Sequence, residues 1–206
     1  MRSAATAFAL LLLLAATPVM AQGRPVEWTL WGSMVSPQGS NDLGDFSIEN
    51  DDGVGVGLSA NFFITDRLST EIGVSWLSTD ADMSFEGIEF EMDSIEMIPV
   101  TLGLQYHFVP ESRWDPYVGA GAAWVSASDV QSADLDALGV GTIDLDDEVS
   151  WFANAGVGYR LGDQFGLAFD VRYLDYGPTS TSKATGGTEE LELSPLVASL
   201  GLRVRF

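Results

Sequence analysis

The chain has 206 residues, of which 30 are acidic and 9 basic, and its net charge is −21. This length fits one domain, and the absence of cysteine excludes disulfide scaffolds, zinc fingers, thiol nucleophiles and a lipid anchor on cysteine. So acidic a chain offers little cationic surface to a phosphate backbone, so we expect no nucleic-acid partner. The 11% aromatic residues and 22 glycines exclude a disordered acidic tail.

The first residues have the pattern of an export signal. Arg2 precedes an apolar run from Ala7 to Ala16, and small residues end the segment at Ala21. This apolar run is too short to cross about 30 Å of hydrocarbon. We therefore predict a signal peptide over residues 1–21 and an exported domain over residues 22–206. No later apolar run reaches the length of a spanning helix, so a membrane crossing would be made by strands.

Apolar residues recur at every second position along most of the remaining chain. Phe165, Leu167 and Phe169, for example, alternate with Gly166 and Asp170. Strict alternation over ten or more residues is typical of a strand with two different faces. It predicts eight strands, at residues 26–35, 53–64, 68–78, 95–108, 116–126, 149–161, 165–176 and 191–206.

The links between these strands alternate between short and long. The short ones are 65–67, 109–115 and 162–164, and the long ones are 36–52, 79–94, 127–148 and 177–190. Such alternation is typical of a barrel with turns at one end and loops at the other. The long links hold 20 of the 30 acidic residues, so we expect a solvated, anionic loop end outside the cell. The predicted fold is all-β, an eight-stranded antiparallel up-and-down transmembrane β-barrel.

Aromatic residues lie on the apolar faces near the predicted strand ends, as in the aromatic girdles of membrane barrels. They are Trp28, Trp76, Trp124, Trp151, Tyr106, Phe108, Tyr159, Phe165 and Phe206. The opposite faces carry too much glycine, serine and charge to form a second core. We therefore expect the apolar faces to contact lipid.

Several segments resemble the OmpW family of bacterial outer-membrane barrels. Its central segment is matched by residues 98–102 (IPVTL), 105–108 (QYHF) and 116–121 (PYVGAG), and its later strands by residues 156–161 (GVGYRL), 170–173 (DVRY) and 200–202 (LGL). The PYVGAG segment also resembles OmpA-like and opacity-type surface barrels, and the last residues, RVRF, depart from the family's usual Gly-Tyr-Arg-Phe.

The OmpW resemblance implies an outer-membrane location and passage of small hydrophobic compounds. A last strand ending at Phe206 resembles the terminal recognition strand of outer-membrane barrels. It implies the barrel-assembly machinery as a partner, besides membrane lipid and lipopolysaccharide.

The residues predicted to face the lumen divide by depth. Those near the loop end form an apolar lumen that could accept a hydrophobic solute: Trp31, Leu77, Met97, Phe152, Leu174 and Val197. Those at mid-depth and near the turn end are charged and should pair with one another, because unpaired charges are costly at low dielectric: Glu27, Glu71, Asp170, Arg160, Arg172, Arg203 and Arg205.

A paired charge network would close the turn end, so a solute would leave sideways into lipid. Proline has no backbone N–H to donate to a neighbouring strand, which makes Pro99 and Pro195 candidates for a weak point in the wall. The same lumen residues also fit a barrel that is simply filled with side chains, since small barrels usually are. That alternative is a plugged surface barrel whose acidic loops mediate interactions or stress tolerance.

The sequence offers little catalytic or metal-binding chemistry. His107 is the single histidine, has no evident serine–acid partners and is interpreted as a hydrogen-bonded structural residue. Asp144, Asp146, Asp147 and Glu148 are clustered but lack the spacing of a calcium loop, and are interpreted as a solvated loop. We expect no enzyme activity, no cofactor and no metal.

Overall fold

A computed structural model describes most of the chain after residue 25. The described residues are 26–38, 41–43, 46–50, 52–79, 81–85, 88–91, 94–128, 143–177, 179–182, 188–190 and 193–206. Among them, no helix is long and apolar enough to cross a membrane. The predicted signal peptide lies outside the described residues.

Eight long strands form a closed barrel in which every neighbouring pair is antiparallel. They are β1 (Val26–Ser36), β2 (Gly53–Phe63), β3 (Leu68–Thr79), β4 (Ile95–His107), β5 (Trp114–Ala127), β6 (Glu148–Arg160), β7 (Phe165–Leu174) and β8 (Leu196–Arg205). Each strand pairs with its neighbours in the sequence, and β8 closes onto β1. The prediction of an eight-stranded up-and-down barrel is confirmed.

The strand bounds differ from the predicted ones mainly at the start of β8. This strand begins at Leu196 rather than at residue 191, after Ser194 with a φ of 24° and Pro195. A left-handed residue followed by proline departs from regular strand geometry, so the strand begins only at Leu196, although backbone hydrogen bonds to Leu174 and Tyr176 continue before it.

The long links, which the alternation pattern predicts to be loops, contain further short strands. Asn41–Leu43, Phe46–Asn50, Ala81–Phe85 and Ile88–Glu91 form one four-stranded sheet. Ile143–Leu145, Thr179–Ser182 and Thr188–Glu190 form a three-stranded sheet. The first two long links are therefore paired with each other, and so are the last two.

The outer surface of the barrel has the character of a membrane-spanning band. On β8, Leu200 and Leu202 face outward and are 69% and 59% exposed, whereas Arg203, the next residue after Leu202, faces inward and is buried. Trp114 and Trp124 lie ten residues apart on β5, about 33 Å along a strand that rises about 3.3 Å per residue. A tilt of about 40° reduces this to about 25 Å along the membrane normal, the usual height of an apolar band between aromatic girdles.

The barrel closes at the turn end through the last residue of the chain. The Phe206 N–H donates to the Val26 carbonyl at 2.9 Å, and the Val26 N–H donates to the Phe206 carbonyl at 3.2 Å. The Phe206 ring is 70% exposed, on the lipid side. The C-terminal residue is therefore both part of the seam and part of the aromatic girdle.

Candidate functional site in the barrel lumen

The lumen near the loop end is filled by a buried hydrophobic cluster, called here the outer cluster. Its members are Val35, Leu77, Ile95, Met97, Ala123, Val125, Phe152, Leu174, Tyr176, Leu193 and Val197. Five of the six predicted apolar lumen residues belong to it, namely Leu77, Met97, Phe152, Leu174 and Val197. All eleven members are at most 7% exposed, so the apolar lumen is occupied by its own side chains.

Phe152 is the largest of these five side chains, and two glycines make room for its ring. A Cβ on Gly103 would lie 2.6 Å from Phe152 Cζ, and one on Gly121 would lie 2.8 Å from Phe152 Cε1. Neither position can carry a side chain without moving the ring or the backbone. The small residues of β4 and β5 therefore fix Phe152 across the lumen.

Trp31, the sixth predicted lumen residue, lies outside the outer cluster. Its indole Nε1 donates to Ser59 Oγ at 2.9 Å, deeper in the barrel. A buried indole N–H needs an acceptor, and the apolar cluster has none at that place. Sequence reasoning missed Ile95, Ala123, Tyr176 and Leu193, although each continues the inward alternation of its predicted strand.

Below the outer cluster, Arg172 organises a central network across the barrel. Its Nη2 lies 2.6 Å from Glu71 Oε1, and its Nε lies 3.8 Å from Asp170 Oδ1. Its guanidinium also lies over the Phe152 ring, 4.6 Å from the centroid. The predicted partners Glu71, Asp170 and Arg172 are thus together, directly beneath the outer cluster.

Neutral side chains complete the hydrogen bonding of the two carboxylates. Tyr117 and Asn154 both donate to Asp170 Oδ2, at 2.9 and 2.7 Å, and Gln105 donates to Glu71 Oε2 at 2.7 Å. Hydrogen bonds to carboxylates are stronger than neutral ones, especially away from water. The central network is therefore a rigid cross-brace between opposite walls.

A second network closes the turn end. Arg203 Nη1 and Arg205 Nε each lie 3.2 Å from an oxygen of Glu27, which joins β8 to β1. Arg160 does not take part, because its Nη1 donates to the Glu111 carbonyl at 3.4 Å instead of to a carboxylate. The structure brings together six of the seven predicted charged residues, in two separate groups.

His107 belongs to the same end of the barrel and is fully buried. Its Nδ1 lies 2.7 Å from Asp115 Oδ2 and its Nε2 lies 3.2 Å from Ser69 Oγ. Both ring nitrogens thus have partners, and Ser69 donates onward to Asn61 at 3.2 Å. The sequence indicates no serine–acid partners for His107, and this expectation is wrong: the structure places Ser69 and Asp115 at its two ring nitrogens, and both are buried with it.

A cavity of about 40 Å³ lies between the outer cluster and the central network. A water molecule needs about 10–15 Å³ of such volume, so there is room for about three. Both polar and apolar groups line the cavity: Trp31, Ser33, Leu58, Ser59, Gly73, Ser75, Leu77, Pro99, Thr101, Asp170, Arg172, Leu174, Val197 and Ser199. A smaller cavity of about 20 Å³ lies at the turn end beside Arg160, Arg203 and Arg205.

The pairing of β3 with β4 is interrupted beside the larger cavity. Val74 pairs with Val100 and Leu77 with Met97, but the two positions between them on each strand have no partner across this pair of fully described strands. The unpaired positions on β4 are Ile98 and Pro99. On its other side Pro99 remains paired, with Val125 of β5.

The direction of the backbone hydrogen bonds explains this interruption. The His107 N–H donates to the Arg67 carbonyl just before β3, whereas the Phe108 N–H donates to the Pro116 carbonyl on β5. Since N–H groups alternate sides along a strand, odd-numbered residues of β4 direct theirs at β3. Pro99 is odd-numbered, so the N–H that proline lacks is one that would donate a hydrogen bond to β3.

Pro195 is placed differently. It precedes β8 at the loop end, and its carbonyl accepts a hydrogen bond from the Leu174 N–H at 3.1 Å. The pairing of β7 with β8 therefore continues past Pro195. Of the two prolines, only Pro99 lies at an interruption of the wall.

The acidic residues at and just before the start of β6 lie close to Tyr176. Glu148 Oε2 accepts a hydrogen bond from the Gly177 N–H at 3.2 Å. Burial, followed by the charges of Glu148, Asp147 and Asp146, raises the pKa of the Tyr176 hydroxyl. The side chain of Asp144 lies outside the described residues, and those that are described hold no group of three or more metal-ligating side chains.

Comparison with known proteins agrees with this architecture. Outer membrane protein AlkL of Ectopseudomonas oleovorans is 27% identical over 177 residues, covering 82% of this chain and 75% of AlkL. An uncharacterised outer-membrane protein of Sinorhizobium fredii, y4mB, is 29% identical over 118 residues, covering 57% of this chain and 49% of y4mB.

Solved structures share the fold at lower identity. The crystal structure of outer membrane protein OprG from Pseudomonas aeruginosa has a TM-score of 0.78 at 19% identity, covering 89% of this chain and 96% of OprG. The solid-state NMR structure of AlkL in lipid bilayers has a TM-score of 0.60 at 22% identity, covering 87% of this chain and 90% of AlkL. The sequence model of the OmpW family matches residues 31–206, nearly the whole described barrel, and this chain is therefore an outer-membrane protein of the OmpW family.

Proposed function

We propose that the barrel is a passive conduit for small hydrophobic molecules, without catalytic activity. A solute enters the outer cluster from the loop end, which faces the outside of the cell, and leaves sideways into the membrane between β3 and β4. The observation that carries this proposal is the interrupted pairing opposite Pro99, at the same depth as a cavity.

The charged networks support a sideways exit. Below the cavity, Arg172 is held by Glu71 and Asp170, and Arg203 and Arg205 are held by Glu27. A solute that continued towards the turn end would have to separate buried ion pairs, which costs several kcal/mol, about 3–5 per broken pair. The apolar wall near Pro99 offers a route without that cost.

The outer cluster supports hydrophobic selectivity. An apolar solute gains about 25 cal/mol for each Å² that it removes from water. Because the cluster is packed, the solute must displace side chains as it enters, and the unbranched, flexible Met97 is suited to such movement. A polar solute would have to displace the same side chains, but it would not gain the free energy of transferring apolar surface out of water.

Replacing Pro99 by Val tests the exit. Residue 99 would then have an N–H directed at β3 opposite Ser75, and one backbone hydrogen bond contributes about 1 kcal/mol. That stabilisation lowers the population of an open wall about fivefold. We expect uptake of labelled octane to slow by the same factor in proteoliposomes whose outer leaflet is lipopolysaccharide, which slows direct partition of octane into the bilayer. Pro195→Val is the matched control, and its uptake should equal that of the wild type.

One result would contradict the exit beside Pro99, and another would contradict the conduit itself. Equal octane uptake by the wild type and Pro99→Val, both above empty liposomes, would place the exit elsewhere. Uptake by the wild type no faster than into empty liposomes would instead favour the second candidate, a plugged barrel with a structural or surface role. The observation that favours this candidate is the tight packing of the outer cluster, all of it at most 7% exposed.

The assembly partner is part of the same proposal. We propose that the barrel-assembly machinery recognises β8 through Phe206, while lipid and lipopolysaccharide surround the barrel and its acidic loops. Phe206→Ala should reduce the amount of protein in the outer membrane several-fold without changing its synthesis, as measured by fractionation. Phe165→Ala is the control, because it removes another exposed girdle ring: Phe165 is 60% exposed and Phe206 is 70% exposed. This variant should leave the amount of protein in the outer membrane unchanged. An equal loss of outer-membrane protein in both variants would contradict a role for Phe206 in recognition.

A further inference from the structure

The cavity between the outer cluster and the central network contains polar groups without partners. Thr101 is 4% exposed, and its Oγ1 has no hydrogen-bond partner among the described residues. The Nε of Arg172 likewise lacks a hydrogen bond within the described part of the chain, with Asp170 Oδ1 at 3.8 Å. Unsatisfied groups of this kind at a cavity indicate a polar occupant.

Serine side chains add to this hydrogen-bonding capacity. Ser59 Oγ accepts from Trp31 and keeps its own proton to donate, and Ser33 and Ser199 share one hydrogen bond of 2.8 Å. Both pairs line the cavity. The site can therefore donate to and accept from a small group that carries oxygen.

The loop side of the same cavity and the residue at the interrupted wall are apolar. Leu77, Leu174 and Val197 belong to the outer cluster and lie on the loop side, and Pro99 lies at the interrupted wall. An alkyl chain could extend from the cavity along either of these surfaces. The cavity thus has a polar end and an apolar end, like an amphipathic molecule.

The charges around the cavity select against an anionic group. Arg172 is already neutralised by Glu71 at 2.6 Å, and Asp170 lines the cavity as a second carboxylate. A further carboxylate would meet a site whose negative charges outnumber the positive one. The favoured occupant is neutral and able both to donate and to accept.

We propose that this cavity is a subsite for the hydroxyl head of a neutral amphipathic solute, such as a medium-chain primary alcohol. The inference rests on the conduit proposed above and narrows its substrates from hydrophobic molecules in general to those with one oxygen-bearing end. Thr101 Oγ1 and Arg172 Nε donate to the hydroxyl oxygen, and the alkyl chain lies against the outer cluster or the Pro99 wall.

Binding of octan-1-ol, octane and octanoate to the whole protein in lipid nanodiscs tests the proposal. Titrations followed by the amide NMR signals of Gly73 and Thr101 should give saturable shifts with octan-1-ol and none with octanoate. Thr101→Val keeps the shape of the side chain and removes its hydroxyl. It should weaken the affinity for octan-1-ol about fivefold, the effect of one ordinary hydrogen bond, and leave that for octane unchanged.

Filling the cavity is an independent second variant. A Cβ on Gly73 would lie 2.7 Å from Thr101 Oγ1, which can rotate, and no closer than 3.5 Å to other atoms. Gly73→Ala should therefore fold and abolish the octan-1-ol shifts at Thr101. The matched controls are Thr29→Val, a buried threonine outside this cavity, and Gly32→Ala, whose Cβ would meet nothing within 4 Å.

The outcomes separate this proposal from the conduit itself, because binding is measured without transport. Equal affinities of the wild type and Thr101→Val for octan-1-ol, or an equal response to octanoate, would overturn the subsite. Loss of octan-1-ol affinity in Thr101→Val and Gly73→Ala but not in the controls would support it. If the two variants lose octan-1-ol affinity but the wild type shows no octane uptake, the conduit is contradicted and the subsite is supported.

Discussion

Arg172→Met is expected to lower the free energy of unfolding by about 3–5 kcal/mol, because it leaves buried carboxylates without their cation. Glu71 is 1% exposed and Asp170 is 3% exposed, so neither can turn to water. The loss would be measured by urea unfolding in phospholipid vesicles, followed by tryptophan fluorescence.

Two further variants separate the charge from other effects of the substitution. Arg160→Met removes an arginine that contacts a carbonyl rather than a carboxylate, and should change the stability by no more than about 0.5 kcal/mol. Adding Glu71→Gln to Arg172→Met removes one unpaired charge and should restore part of the loss. A loss of similar size for Arg160→Met, or no recovery in the double variant, would contradict a brace based on ion pairing.

Phe152→Ala is expected to cost about 3–5 kcal/mol of stability and to open the lumen. The ring is 1% exposed, lies against Gly103 and Gly121 and supports the guanidinium of Arg172. Because neither glycine has a side chain to move into the space, the cavity left behind should persist. Octane uptake into proteoliposomes should therefore rise as stability in the urea assay falls.

Phe169→Ala is the control for the loss of an aromatic ring. Phe169 lies on the outer face of β7 and is 43% exposed, so its removal leaves no internal cavity. We expect a smaller loss of stability and no change in uptake. Unchanged uptake with Phe152→Ala in a folded barrel would mean that the outer cluster is not on the solute's path.

The barrel could be predicted because its signals are local. Each spanning strand has one lipid face and one lumen face, so the alternation of apolar residues is regular over its whole length. Pro99 could be singled out because the chemistry of proline alone removes a donor. The missing N–H is on the side of β4 that faces β3 and not on the side that faces β5. This follows from the pairing register and could not be predicted from the sequence.

The remaining differences have physical causes. Residues 46–50 (FSIEN) and 81–85 (ADMSF) do alternate, but the segments are short and acidic, which is typical of loops. The strands Thr179–Ser182 and Thr188–Glu190 contain no apolar residue and give no such signal. Arg160 ends β6 at a turn, where a backbone carbonyl is closer than any carboxylate of the described residues. The hydrogen bond from Trp31 to Ser59 joins the neighbouring strands β1 and β2, and it depends on their pairing register, which the alternation pattern does not give.

The seam between β1 and β8 also has a consequence for the order of folding. It joins segments separated by nearly the whole barrel, whereas every other pair of barrel strands joins neighbours in the sequence. Contacts of large sequence separation carry the largest loop-closure entropy and form late. Glu27 meets Arg203 and Arg205 across this seam, close to the two hydrogen bonds between Val26 and Phe206. We therefore expect these ion pairs to form after the hairpins and to favour the register in which β8 closes onto β1.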